Sequence, residues 1–143
     1  AANPISVTLN HTRKMIDPRL NSQNEYLSRS ISFHTAWSNQ CIEYWFLLHF
    51  AYYDSDNDRK YYRAFLHKQF AGFGFRRYEK NNNEIFKILT YKGNPKQAIK
   101  YAEKRLLFCQ GKTESESTPA TKVHLLVKEL AAFLPEDIRQ RYL

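Results

Sequence analysis

The stretch Ala36-Trp37-Ser38-Asn39-Gln40-Cys41-Ile42-Glu43-Tyr44-Trp45-Phe46-Leu47-Leu48-His49-Phe50 decides how the chain is read. From Cys41 to Tyr53, apolar and aromatic side chains fall on every side of a helical wheel, as in a helix enclosed by its neighbours. A central buried helix over residues 41–53 is therefore expected. Asn39 suits its N-cap, because its side-chain oxygen can accept from an amide two or three residues on, and Gln40 fits the first helical position. Before it, Ile31, Phe33, Thr35 and Trp37 alternate with Ser32, His34 and Ala36, a pattern that predicts a strand running into the Ser38-Asn39 corner.

Two side chains in this apolar run carry chemistry, Glu43 and His49. Glu43 lies four residues after Asn39 and shares its helix face. His49 comes six residues after Glu43 and points about 120° away, so the two cannot form a same-helix pair. A carboxylate on so apolar a helix is costly unless something compensates it. Glu43 can accept amides of the Ser38-Asn39 corner, or face a metal or a basic partner supplied from elsewhere. His49, on a face with Trp45 and Tyr53, is either a satisfied core histidine or a catalytic group that needs a partner within hydrogen-bond reach.

Further elements follow from punctuation. Asp54-Ser55-Asp56-Asn57-Asp58 precedes a helix over residues 59–70 and can cap it. It fails as a calcium loop, since the sixth and twelfth positions hold Arg59 and Phe65 rather than Gly and Glu. A helix over 84–91 follows Asn81-Asn82-Asn83. Asn94 as N-cap, Pro95 at the first position and Gly111 past the end bound a helix over 95–110. Thr118 is placed as the N-cap of a helix over 119–134, with a last short turn opened by Pro135. A short strand over 5–9 and a helical turn over 23–29 are the readings of the poorly defined first thirty residues.

With 143 residues, 43% hydrophobic content and 25% charged residues, one domain with a single core is expected, mainly helical with a small sheet remnant. Cys41 and Cys109 make no Cys-x-x-Cys, which argues against a zinc ribbon or a disulfide framework and for reduced core thiols. No stretch reads as a signal peptide or is long and apolar enough to span a bilayer, so a cytoplasmic protein is expected. The net charge of +8 favours an anionic partner. Lys96, Lys100 and Lys104 recur every four residues opposite Ala98, Ala102, Leu106 and Cys109. Arg76, Arg77 and Lys80 form a second basic cluster among Phe73, Phe75 and Tyr78. Basic and aromatic residues together suit single-stranded nucleic acid, and a solvated basic face without a ligand is the alternative.

The order Trp37-Ser38-Asn39, Ile42-Glu43-Tyr44-Trp45, Leu47-Leu48-His49-Phe50 resembles the signature of the RloB-like proteins, a bacterial phage-defence family related to Toprim-type nucleases. Gln40 and Ile42 depart from the commoner Pro and Phe. Thr118-Pro119-Ala120-Thr121-Lys122-Val123-His124-Leu125-Leu126-Val127 is similar to the family's Pro-x-Thr-x-Val-His-x-Leu-Val segment, and Tyr78-Glu79-Lys80 to its Tyr-x-Lys element. The resemblance spans Ala36 to Leu130. It implies a Toprim-related α/β fold, antiviral restriction by abortive infection, and a companion AAA-type ATPase as partner. It further implies a nuclease using Mg2+ on a Glu and an Asp-x-Asp that precede the Ser-Asn segment in full-length relatives. Only Asp17 and Glu25 supply acids there, so the 143 residues are expected to be the C-terminal portion of a longer protein, without nuclease activity of their own. On that basis Glu43, His49 and Lys80 are candidate catalytic groups, Lys80 by pairing with Glu43 or contacting a phosphate unless it is a surface lysine, while the basic pattern makes Arg76, Arg77, Lys96, Lys100 and Lys104 candidate nucleic-acid contacts. Ser38, Asn39, Trp45, Thr118, Thr121 and His124 are the structural part of the motif.

Overall fold

A computed structural model describes residues 11–16, 26–31 and 33–143 of the chain. The expected strand over 5–9 lies outside the described residues. The chain divides into two compact units. One, residues 5–35, holds the antiparallel pair β1 (His11–Ile16) and β2 (Tyr26–Ile31), with His11 opposite Ile31 and Ile16 opposite Tyr26. Residues 26–29 are thus strand, not helix, and residues 33–37 carry no regular structure despite their alternation. Strand β2 ends at Ile31.

The second unit contains the motifs and is mainly helical. A two-residue strand β3 (Ser38–Asn39) leads into α1 (Ile42–Leu47), followed by α2 (Arg59–Gly72), α3 (Ile85–Tyr91) and α4 (Pro95–Phe108). Then come β4 (Ala120–Thr121), α5 (Val123–Ala131) and α6 (Glu136–Arg139). Helix α1 is central as expected: Glu43, Tyr44, Trp45 and Leu47 are all buried. Around it pack Tyr62 of α2, Ala98, Ile99 and Ala102 of α4, and Ala131 of α5. A second cluster joins Leu66 and Phe70 to Tyr78, Ile85, Ile88 and Leu89.

Where local capping chemistry is strong, helix starts fall where the sequence puts them. Asp58 accepts from the amides of Lys60 and Tyr61, and Asn94 from Gln97. Elsewhere long-range contacts decide. The expected helix over 41–53 stops at Leu47, because its end is tied to the start of α4: the His49 carbonyl accepts from the Asn94 amide at 2.8 Å. Gly93 permits that approach, since a Cβ there would lie 2.7 Å from the Leu89 carbonyl and 2.8 Å from the His49 Cβ. Asn39 does not cap α1. It belongs to β3, its side-chain amide donates to carbonyls of Glu114, Ser115 and Ser117, and Cys41 occupies the cap position. Thr118 is likewise no cap; its hydroxyl donates to Asp56, and residues 120–121 form a strand before α5 begins.

Candidate functional site

Helix α1 offers its first-turn carboxylate to a polar cluster built by α2 and the segment after it. Helix α2 ends at Gly72, and Gly74 adopts φ 90°, a left-handed turn that costs glycine no steric penalty. The chain then reverses and brings Tyr78 back over the helix, where its amide donates to His67 Nδ1 at 3.0 Å and its ring packs against Phe46 and Phe70. The Tyr78 hydroxyl donates to Glu43 Oε1 at 3.2 Å, and the Arg63 guanidinium lies 3.6 Å from the same oxygen. Glu43 is fully buried, whereas Arg63 keeps about half its side chain, 47%, in solvent. Oε2 is buried without a hydrogen-bond partner of good geometry among the described residues.

Burial pushes the Glu43 carboxyl up, but the Cys41 thiol, its own amide, the Lys80 ammonium and the Tyr78 hydroxyl together outweigh it and hold it below the usual carboxylate value. The Cys41 thiol responds in the opposite sense, raised to about 11 by burial and then by the neighbouring carboxylate. It is a thiol at neutral pH, without the thiolate character a nucleophile needs. Cys109 is buried and also free. Among the described residues no group of three or more His, Cys, Asp or Glu could hold a metal ion. Glu43, already facing Arg63 and Tyr78, does not fit a Mg2+ site made of these residues, and no step through Mg2+ is assigned to them.

The sequence-derived site residues separate into distinct places. Glu43 and Lys80 interact through their charges, with Tyr78 between them in the chain. His49 is elsewhere: its ring stands edge-on to Trp45 at 4.7 Å, and its Nδ1 meets the Trp45 carbonyl at 3.0 Å. Tyr53 does not share that face; it stacks on Tyr61 at 5.0 Å. Since a carbonyl only accepts, Nδ1 carries the proton. Burial holds the His49 pKa down to about 4, so the ring is neutral. Arg76 and Arg77 are exposed, the latter paired with Glu79 at 2.8 Å. Lys96, Lys100 and Lys104 form the expected exposed ridge opposite buried Ala98 and Ala102, and the Lys104 ammonium sits 4.6 Å from the Tyr52 ring centre.

The motif residues at the two ends of the unit meet directly. Ser38 pairs with Thr121 and Asn39 with Ala120; the Thr121 hydroxyl and the Lys122 amide both donate to the Trp37 carbonyl. His124 is buried in the first turn of α5, its pKa lowered chiefly by burial. Arg63 was missed by sequence reasoning. The only signal for it was the requirement that a buried carboxylate have a cation, and Arg59, Lys60, Arg76, Arg77 and Lys80 satisfied that requirement equally well on paper.

A search of curated proteins and of solved structures found no match. The model of the RloB-like protein family matches residues 11–130. With the match extending over most of the chain, and with the three motif segments converging on α1, this chain belongs to the RloB-like protein family.

Proposed function

We propose that this chain is the nucleic-acid-holding portion of a Toprim-related phage-defence nuclease that works beside an AAA-type ATPase, and that it does not cleave by itself. The observation that carries this reading is the Glu43-Arg63 pairing. A buried carboxylate lies 3.6 Å from Nε of a guanidinium whose side chain keeps about half its surface in solvent, with the Lys80 ammonium close enough to act on the same carboxylate. Such an arginine, held near the helix by charge and open to solvent, has a planar fork of donors that suits a phosphate. The lysine ridge on α4, with Tyr52 and Tyr101 packed at 5.2 Å beside Lys104, supplies the basic and aromatic combination that single-stranded nucleic acid favours.

Fluorescence titration with single-stranded DNA and RNA at two salt concentrations tests it. Affinity should fall steeply with salt as displaced counterions are released. Arg63→Ala and the Lys96→Glu, Lys100→Glu, Lys104→Glu triple variant should each weaken binding while the domain stays folded. Incubation with plasmid, single-stranded DNA and RNA in Mg2+ or Mn2+ should give no specific cleavage. Cleavage abolished by Glu43→Gln would overturn the inactive reading and make Glu43 a metal ligand.

A second reading, a non-catalytic module that docks a protein partner, is favoured by the exposed Leu126 and Leu130 of α5 and Phe133 just past its end. Salt-insensitive nucleic-acid affinity, or unchanged affinity in the folded triple variant, would favour it.

A further inference from the structure

On the side of α1 away from Glu43 lies a pocket of about 410 Å³, walled by Trp45 and His49, by Ile85, Phe86 and Leu89 of α3, and by Leu130 and neighbouring apolar residues of α5. Tyr142 closes one side, its ring stacked on Phe86 and its hydroxyl bonded to Thr90 at 2.6 Å. The volume is that of a small-molecule site, and its walls are aromatic and aliphatic. One heteroatom distinguishes it from a packing defect. His49 Nδ1 donates to the Trp45 carbonyl, so the neutral ring presents Nε2 as a lone pair. Nε2 has no hydrogen-bond partner among the described residues, and His49 lines the pocket. Gly93 packs closely against the His49 Cβ, and the edge-on contact with Trp45 and the Nδ1 bond hold the ring itself.

We infer that this pocket binds a small, neutral aromatic molecule carrying one N–H or O–H donor, which His49 Nε2 accepts while Trp45, Phe86 and Leu130 cover the ring. A cation finds no carboxylate among the lining residues, and an anion finds no ammonium or guanidinium. An entirely apolar ligand would leave the imidazole nitrogen dry and unpaired, at a cost an N–H donor removes. The site is separate from the phosphate contacts proposed above and stands or falls without them.

The test uses two probes of one shape, indole and benzofuran, titrated calorimetrically into the full chain. Indole should bind roughly three- to tenfold more tightly, the difference being one hydrogen bond. Nitrogen-15 NMR of the parent should show the His49 Nε2 resonance moving with indole and not with benzofuran. His49→Phe should erase the preference, and Leu130→Trp, at a half-exposed position that tolerates a larger ring, should block both probes. Equal affinities, no binding by either, an unmoved Nε2 resonance, or unchanged indole binding in Leu130→Trp would each overturn the inference. The NMR arm decides the matter even if His49→Phe does not fold.

Discussion

Glu43 and His49 lie six residues apart on one buried stretch and have opposite fates. At Glu43, a thiol, a hydroxyl, an ammonium and a guanidinium converge, and the carboxyl keeps its charge in spite of burial. At His49 the surroundings are aromatic and aliphatic, the backbone of Trp45 and Phe46 supplies the polar contacts, and the ring gives up its charge. Burial is common to both; the charges and donors brought by neighbouring elements differ. Protonation at each end of α1 is thus a property of the tertiary arrangement.

Acid should break the comparison most visibly. The folded His49 pKa of about 4 lies below its ordinary 6.5, so between those values the unfolded chain takes up a proton that the folded chain refuses. Stability should fall as pH drops through that window, by about 3 kcal/mol from this group, and be flat in its contribution above it. His124, shifted the same way, adds to the fall. Glu43, lowered from 4.5, contributes stability above that value that is lost as pH falls through its folded value, so its loss comes last. Urea titrations across pH 7 to 4 check this, and His49→Phe should flatten much of the slope.

Gly93→Ala probes the His49 end by geometry alone. Its new methyl would meet the Leu89 carbonyl and the His49 Cβ below 3.0 Å, and about 2 kcal/mol of destabilisation is expected, with a shifted His49 ring resonance. At the other end, Tyr78→Phe removes the hydroxyl that reaches Glu43 and should cost about 1 kcal/mol by denaturant titration while raising the Glu43 pKa. Arg63→Ala should change stability least, within about 0.5 kcal/mol, because the guanidinium is half in solvent. An Arg63→Ala loss as large as that of Gly93→Ala would mean that the two ends are more alike than their surroundings suggest.

Much of the fold was legible wherever a local signal marked a boundary. Asp58, the Asn94-Pro95 pair and Gly111 each announce their helix end through hydrogen bonding or backbone freedom that is settled within a few residues. Residues 48–53 were misread because an all-round apolar run looks the same whether helical or not, and the bond that ends α1 comes from Asn94, far along the chain. The β3-β4 pairing was invisible for the same reason: two residues give no alternation to read, and their partners lie some eighty positions away. At the candidate site, Glu43 was legible as an oddity against its apolar background. Its partner Arg63 was one cation among several, chosen by how α2 crosses α1.

The clasp between Trp37 and Thr121 spans 84 residues, and it bears on how the protein is made. Closing so large a loop is slow relative to local helix formation, because its entropy must be surrendered before the contacts reward it. A ribosome releases α1, with its Trp45 and Leu47, well before β4 exists to fasten the strand that feeds it. For that interval the most water-averse segment of the chain has α2 and the following helices as company but no anchor, which makes nascent chains stalled short of Thr121 the form most dependent on chaperones.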